Sequence, residues 1–229
     1  KNTEETKHSI KCVMKYLSYD MEENYPGNLD CTVTYELNNN NELLIDFKAI
    51  SDQNTIVNMT NHNYWNFHGH GNNYQNNEDH VVYINSASIC ETDKQSIPTG
   101  KILAIEGTKF NLKNDFLIND VFLNSGGIDH NYVLKDQSMK ELVARIYSKK
   151  TGLGVEYFTN QHGIQFYTGN MMLDKYTGKH EKSYGLQYGM CLEPQQYPDA
   201  INHPHFPSPI LKKNESYNSV IKIKLRNDF

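Results

Sequence analysis

The sequence is poor in several residue types, and each shortage excludes a class of protein. Its 229 residues include only four cysteines, which are far apart and form no Cys-x-x-Cys pair. This spacing argues against a disulfide framework and favours reduced thiols, so we expect a cytoplasmic protein. No apolar run is long enough to span a membrane.

Basic residues are too few and too scattered for a protein that binds nucleic acid. The formal net charge is −5, and lysine and arginine form no continuous stripe. Only two arginines occur, Arg145 and Arg226. Because arginine is the side chain best suited to phosphate, this scarcity also argues against a phosphorylated substrate. We therefore expect neither nucleic acid nor a membrane as a partner.

Short runs that alternate between apolar and polar residues dominate the chain and predict strands. The clearest runs are residues 32–37, 43–50, 142–147, 155–159 and 219–225. The first two flank an Asn-rich turn and the next two flank a Lys-Lys-Thr-Gly turn, so each pair predicts a hairpin. Helical periodicity is confined to a short turn near residues 115–122. We predict an all-β protein, a large antiparallel β-sandwich that forms a single domain over residues 1–229.

A proline-rich segment near the C-terminus predicts a rigid wrap beside a possible base. Five of the seven prolines lie in residues 191–211, which excludes an interior helix or a central strand there. Its apolar residues are too many for a solvated linker, so an ordered loop packed over a sheet is expected. Glu193 follows the apolar residues 190–192, which we interpret as the end of a buried strand. A carboxylate held still in this way is suited to act as a general base.

Three other segments carry side chains that suit a sugar site. His62 lies just before aromatic residues that could desolvate it, which suits acid–base chemistry near neutral pH. Asp129 opens a strand-like run, where it would either cap a turn or bind a ligand hydroxyl. Residues 159–170 are rich in amides and hydroxyls, which match sugar hydroxyls because both donate and accept hydrogen bonds.

A metal site is the competing interpretation of the histidines. His68, His70 and His80 could ligate an ion, but no cysteine or carboxylate falls at a recognised zinc spacing. The sequence also shows no glycine-rich phosphate loop and no Gly-x-Ser-x-Gly elbow. We therefore expect no metal and no organic cofactor.

Six motifs occur in an informative order along the chain. They are Tyr25-Pro26-Gly27-Asn28-Leu29, Asn61-His62-Asn63-Tyr64-Trp65-Asn66, Ile97-Pro98-Thr99-Gly100, Asp129-His130-Asn131-Tyr132-Val133-Leu134, the amide-rich residues 161–170, and Leu192-Glu193-Pro194-Gln195 with the prolines after it. Each motif is weak alone. The ordered set, which extends over nearly the whole chain, resembles the aldose 1-epimerase family, also called galactose mutarotases.

The resemblance implies a fold, a reaction and a set of site residues. The fold would be the large mutarotase sandwich, and the reaction would interconvert the α and β anomers of a hexose such as galactose or glucose. The sugar ring opens and recloses, and no cofactor is needed. Glu193 resembles the family's base and His62 its acid. Asp129, Gln165 and Asn61 would bind the sugar.

The resemblance also implies that the chain is incomplete at its N-terminus. In the family, roughly a third of the domain precedes the Tyr-Pro-Gly motif and carries an arginine and a further histidine that bind the sugar. Neither motif occurs here, so we expect the C-terminal two thirds of the domain, able to associate with the missing N-terminal segment. Two alternatives remain open. One is a hexose-6-phosphate 1-epimerase, and the other is a non-catalytic carbohydrate-binding or interaction protein.

Overall fold

The computed structural model describes residues 2–70, 75–172 and 177–229, which are mostly strand. The strands in chain order are β1 (Asn2–Glu5), β2 (Ser9–Ser18), β3 (Leu29–Asn38), β4 (Glu42–Ser51), β5 (Thr55–Ile56), β6 (His80–Ile84), β7 (Ser88–Thr92), β8 (Pro98–Ala104), β9 (Phe116–Leu117), β10 (Asp129–Val133), β11 (Ala144–Ser148), β12 (Gly154–Thr159), β13 (Gly163–Tyr167), β14 (Cys191–Gln195), β15 (Ile210–Leu211) and β16 (Ser216–Arg226). Within these ranges the α-helix is α1 (Ile118–Ser125), and short 3₁₀ turns lie at Glu22–Asn24, Lys179–Glu181 and Ala200–Asn202. None of the described helices is long and apolar enough to cross a membrane.

A nine-stranded antiparallel sheet contains all five of the clearest predicted strands. Its order is β1-β2-β3-β4-β16-β12-β11-β6-β9. Both predicted hairpins are confirmed, as β3 with β4 and β11 with β12. The alternation predicts them because one face of each strand must leave water; on β4, for example, Ile45, Phe47 and Ala49 are buried.

A five-stranded antiparallel sheet, in the order β14-β13-β10-β7-β8, packs against the first sheet. Ile164 and Phe166 of β13 share one buried cluster with Ile45 of β4 and Ile221 of β16. The core therefore lies between the two sheets, and the predicted all-β antiparallel sandwich is confirmed. A further pair, β15 with β5, lies outside both sheets.

Strand β14 differs from its prediction in where it ends. The sequence predicts Glu193 at the end of a buried strand, yet β14 continues through Pro194 to Gln195. The strand tolerates the proline because β14 is the last strand of its sheet, bonded to β13 on one side only. Glu193 is consequently held in the middle of a strand rather than at the start of a loop.

Strands β1 and β2 are not among the strands predicted from the sequence, although Ile10, Met14 and Tyr16 of β2 are apolar at alternate positions. Register with β3 places Ile10, Met14 and Tyr16 of β2 on the same face as Leu37, Val33 and Cys31. Val33 and Cys31 pack against the buried cluster. Ile10, Met14 and Tyr16 remain 51%, 39% and 59% exposed. The nine-stranded sheet thus extends beyond the core and leaves an apolar face uncovered.

Candidate active site

The outer face of the five-stranded sheet carries most of the predicted site residues. On β13, Ile164 and Phe166 point into the core. Alternate residues of a strand point to opposite faces, so Gln165 and Tyr167 point outward. Hydrogen-bonded register then decides which residues of the neighbouring strands lie beside them.

Two rows of side chains cross β10, β13 and β14 on this face. One row holds Asp129, Tyr167 and Cys191, and the next holds Asn131, Gln165 and Glu193. Directly opposed side chains in antiparallel strands are close neighbours. The pairing therefore brings together Asp129, Gln165 and Glu193, which are far apart in sequence.

His62 reaches the same place from a segment that runs along the free edge of β14. The amide of Trp65 donates to the carbonyl of Met190 at 2.8 Å, and the amide of Met190 donates to the carbonyl of Trp65 at 3.1 Å. The Thr60 hydroxyl donates to the carbonyl of Pro194 at 2.7 Å. The Trp65 indole is anchored below by donation to the Tyr157 hydroxyl at 2.7 Å. His62 lies between these attachments and so faces Glu193.

The two proposed proton-transfer groups are adjacent. His62 Nε2 lies 3.5 Å from Glu193 Oε1, with the imidazole side chain 50% exposed and the carboxylate side chain 9% exposed. The imidazole stacks on Tyr64, with ring centroids 4.9 Å apart and planes inclined by 23°. The pair has one member open to solvent and one held in the protein.

These groups line a pocket of about 390 Å³. A volume of this size suits a small ligand such as a single sugar ring. The lining residues are His62, Tyr64, Asp129, Gln165, Tyr167, Met171, Glu193 and Gln195. Four of the five predicted site residues, His62, Asp129, Gln165 and Glu193, are therefore in one pocket.

Burial tunes Glu193 for proton transfer near neutral pH. Removal from water raises the pKa of its carboxyl to about 7, with a further contribution from the nearby Asp129 carboxylate. A general base works best when its pKa lies near the working pH. Burial, followed by the Glu193 and Asp129 carboxylates, also raises the pKa of the Cys191 thiol well above its ordinary value.

Asp129 and Gln165 form a polar pair on the pocket floor. The Gln165 amide donates to Asp129 Oδ1 at 2.7 Å. The Gln165 Oε1 atom is buried and has no hydrogen-bond partner in the described part of the chain. An orphaned buried acceptor favours a ligand that brings a donor, such as a sugar hydroxyl.

Asn61 is the predicted site residue that the pocket does not include. Its amide donates to the Tyr35 hydroxyl of β3 at 3.3 Å, on the nine-stranded sheet. Asn61 Oδ1 is buried and unpartnered within the described ranges. The side chain ties the His62 segment to the other sheet.

Residues that sequence reasoning missed are strand neighbours of those it found. Tyr167 is two residues from Gln165, Cys191 and Gln195 are each two from Glu193, and Tyr64 is two from His62. On a strand, residues two apart share a face, so period-two alternation was a signal for the first three. Nothing in the sequence indicated Met171.

Of the histidines that the sequence offers as possible metal ligands, His80 is held by contacts at both of its ring nitrogens. His80 Nε2 accepts from the amide of Phe67 at 2.9 Å, so Nδ1 carries the hydrogen and donates to Asp79 Oδ1 at 3.1 Å. Burial lowers the pKa of His80 to about 4 and keeps it neutral. His68 Nε2 lies 2.7 Å from the same Asp79 oxygen, and the His70 ring contacts the Tyr184 hydroxyl at 2.7 Å. Because both of its ring nitrogens are occupied, His80 is poorly suited to ligate a metal.

Curated proteins similar to this chain are mutarotases. Galactose mutarotase from Sus scrofa is 40% identical over 204 residues, which cover 88% of this chain and 59% of that protein. The Homo sapiens galactose mutarotase is 39% identical over 206 residues, with the same coverage. Aldose 1-epimerase from Escherichia coli (strain K12) is 31% identical over 212 residues, which cover 89% of this chain and 60% of that protein. The chain thus spans about three fifths of the length of these relatives.

Solved structures share the fold. The aldose epimerase homologue from C. elegans superposes with a TM-score of 0.87 at 22% identity, covering 100% of this chain and 69% of that one. Galactose 1-epimerase from Lactobacillus acidophilus gives a TM-score of 0.84 at 22% identity, covering 100% and 66%. A sequence model described as Aldose 1-epimerase matches residues 2–224, nearly the whole chain. The chain therefore belongs to the aldose 1-epimerase family.

Proposed function

We propose that the protein containing this chain is an aldose 1-epimerase that interconverts the α and β anomers of a hexose such as galactose or glucose. The observation that carries the proposal is the His62–Glu193 pair, 3.5 Å apart on the wall of a pocket of about 390 Å³. Family membership and relatives named galactose mutarotase support it.

The pair suits ring opening because both reacting oxygens are attached to one carbon. Glu193 takes the proton of the anomeric hydroxyl as the bond between C1 and the ring oxygen breaks. The electron pair of that bond goes to the ring oxygen, which receives a proton from His62. The product is the open-chain aldehyde, with Glu193 protonated and His62 neutral. Rotation about C1–C2 and reversal of these transfers close the ring in the other anomer.

Asp129 and Gln165 are proposed to hold the sugar in the reactive pose. Their hydrogen bond fixes both side chains and leaves Gln165 Oε1 available to a hydroxyl. Asn61 stays a predicted sugar-binding residue, and its bond to Tyr35 supports an indirect contribution through the His62 segment. Each positioned acid or base typically contributes ~10²–10⁴-fold, so the pair suffices for a reaction that already proceeds slowly in water, and the proposed mechanism requires no metal or organic cofactor.

A phosphorylated hexose fits the site less well. Arg145 pairs with Asp115, and Arg226 pairs with Glu156 and Asp228. Neither arginine is among the residues that line the pocket. A phosphate group would therefore meet no guanidinium among the described residues of the pocket.

We also propose that residues 1–229 are the C-terminal two thirds of one family domain, and that a further N-terminal segment of that domain covers the apolar face of β2. Two observations support this: the exposure of Ile10, Met14 and Tyr16, and the greater length of the relatives. The four free cysteines support our expectation of a reducing, cytoplasmic location.

Polarimetry tests the proposed reaction. Freshly dissolved α-D-galactose or α-D-glucose rotates polarised light differently from its equilibrium mixture, and the full-length protein should speed the change beyond the rate in buffer. Addition of a His62→Ala variant should leave nearly the buffer rate. A wild-type protein that fails to accelerate the change for any aldose would overturn the proposal.

A further inference from the structure

Two side chains of the pocket, His62 and Glu193, and the buried Cys191 beside them offer a nitrogen, an oxygen and a sulfur to a common point. The ligand atoms of His62, Cys191 and Glu193 all lie within 4.8 Å of one another. Cys191 and Glu193 are alternate residues of β14 and share a face, while His62 faces them from the adjoining segment. The proposed mutarotation uses His62 and Glu193, so the thiol has no part in it.

The Glu193 carboxylate is short of partners. The Glu193 side chain is about nine-tenths buried. In the described part of the chain it accepts no hydrogen bond. Its near neighbour is His62 Nε2, at 3.5 Å. Burying a carboxylate without donors costs free energy, which a bound cation or hydrogen-bond donor would offset. Half of the His62 side chain is in contact with solvent, which gives such a ligand a way in.

We propose that His62, Cys191 and Glu193 bind one thiophilic divalent cation, with Zn²⁺ as the representative ion, in the place where the sugar binds. Zinc takes tetrahedral sets of Cys, His and carboxylate ligands, and sites with three protein ligands keep a fourth position for water. In a tetrahedral site, ligand atoms about 2.0–2.3 Å from the ion are roughly 3.3–3.8 Å apart. The present separations, all within 4.8 Å, must therefore shorten by up to about 1.5 Å, a movement that the half-exposed imidazole can supply.

The donor set also determines which ions are excluded. Mg²⁺ and Ca²⁺ require oxygen ligands and higher coordination numbers, so they should not bind here. The His68–Asp79–His80 cluster contrasts with this site because the Phe67 amide already occupies the ring nitrogen of His80 that lacks a hydrogen. No such bond occupies the His62 ring in the described residues, where its neighbours are Glu193 and the face of Tyr64.

The consequence, which rests on the proposed function, is reversible inhibition. An ion bound to both proton-transfer groups would prevent either from acting and would compete with the sugar. Coordination releases the thiol proton, so affinity should rise with pH. The ion would be an inhibitor of the reaction and not a cofactor for it.

Binding is tested without reference to catalysis, by titrating the reduced full-length protein with Co²⁺. We expect near-ultraviolet absorption from a thiolate–cobalt bond and visible bands of a four-coordinate ion, both displaced by Zn²⁺ and unaffected by Mg²⁺. Cys191→Ser should remove the thiolate band and weaken Zn²⁺ binding at least ~10-fold by calorimetry, as expected when one of three ligands is lost. Cys31→Ser, which changes a half-buried thiol on β3, is the matched control and should behave as wild type.

The outcomes separate this inference from the proposed function. Absence of a thiolate band, or a band that persists in Cys191→Ser, overturns the metal site even if the protein is an active mutarotase. His62→Ala, a change at a half-exposed side chain, should also weaken binding and guards against misfolding of Cys191→Ser. If the Cys191-dependent band appears but the protein has no mutarotase activity, the site stands and the proposed function falls. In an active protein, Zn²⁺ should inhibit competitively with sugar, and a chelator should restore the rate.

Discussion

At the scale of the residue, Glu193 combines a catalytic position with an unfavourable environment. The carboxyl is buried beside Asp129, and its pKa is raised to about 7. This environment suits a base that must both take and return a proton near neutral pH. It also means that the ionised form is disfavoured in the folded protein.

Glu193→Gln should remove most of the catalysis, because the amide keeps the shape of the side chain but cannot accept the anomeric proton. We expect kcat in the full-length protein to fall at least ~10²-fold, which corresponds to about 2.7 kcal/mol of transition-state stabilisation. Polarimetry on α-galactose measures this. Glu91→Gln, a carboxylate of the same sheet outside the pocket, is the control. A mutant as fast as wild type would show that Glu193 is not the base.

The same substitution should stabilise the fold at alkaline pH. The folded-state pKa of Glu193, about 7, exceeds the ordinary value near 4.5, so between these pH values the native state binds more protons than the unfolded state. The stability that the protonated Glu193 gives the folded protein is therefore lost as pH rises through about 7. Glu193→Gln should be more stable than wild type by about 1–3 kcal/mol at pH 8 and nearly equal to it at pH 4. Denaturant unfolding at pH 4 and pH 8 measures the stability of both proteins. An equal difference between the variant and wild type at the two pH values would contradict the raised pKa of Glu193.

The pH dependence of catalysis should report the same carboxyl. Glu193 must be ionised to act as base, so the acidic limb of the kcat/KM profile should rise with pH through about 7. Asp129→Asn removes a charge that raises this pKa, so the rising limb should move to lower pH. Loss of a sugar contact alone would lower kcat/KM without moving the limb, so an unmoved limb would rule out the electrostatic effect of Asp129.

At the scale of the element, two glycines position the strand that carries Asp129. Gly127 has φ +109°, and a Cβ there would lie 2.5 Å from Cβ of Asn170 and 2.9 Å from Oγ1 of Thr168. That threonine oxygen accepts the amide hydrogen of Ile128 at 2.9 Å, at the start of β10. Gly126 has φ +71°, and a Cβ there would meet no described atom within 4 Å apart from its chain neighbours. The first glycine is required by packing and backbone angle, the second by backbone angle alone.

Gly127→Ala should therefore cost more stability than Gly126→Ala. We expect losses of about 2–4 kcal/mol for Gly127→Ala, from strain and overlap together, and about 1 kcal/mol for Gly126→Ala. Thermal or denaturant unfolding measures both. Gly127→Ala should also raise KM, because β10 carries Asp129, while Gly126→Ala leaves KM unchanged. Equal losses for the two variants would contradict the packing argument.

At the scale of the whole molecule, the sheets are unequal in width, and this decides how the chain behaves alone. The apolar face formed by Ile10, Met14 and Tyr16 is exposed at one end of the larger sheet. Exposed apolar surface next to a strand edge favours association with another chain or segment. The N-terminal segment proposed above would cover this face.

The isolated 229-residue chain should associate with itself and be poorly active. Met14→Glu with Tyr16→Glu should reduce association, whereas Leu17→Glu, an exposed position on the opposite face of β2, should not. Size-exclusion chromatography with light scattering compares the wild-type chain, the double variant and Leu17→Glu. Activity should return when the N-terminal segment is restored, because a sugar misplaced by about 1 Å can react ~10²-fold more slowly. A monomeric, fully active isolated chain would refute this prediction.

Much of the fold and part of the site were readable in the sequence. Period-two alternation located β3, β4, β11, β12 and β16, because a strand with one face in the core must alternate. The proline-rich run excluded a central strand, and β14 is an edge strand. Strands β1 and β2 escaped prediction because β1 has no apolar residue and β2 carries Val13 and Leu17 on the face opposite Ile10, Met14 and Tyr16, which weakens the alternation.

Local pattern by itself determined strands, turns and the chemical character of each motif, since these depend on neighbours in the chain. Register, burial and distance depend on pairing between distant segments, so only the tertiary structure decided them. The pairing of β10, β13 and β14 aligned Gln165 with Glu193 and placed Asp129 in the neighbouring row, and the segment along β14 brought His62 to 3.5 Å from Glu193. The raised pKa of Glu193 and the place of Cys191 beside it follow from that packing, because desolvation and proximity exist only once the chain is folded.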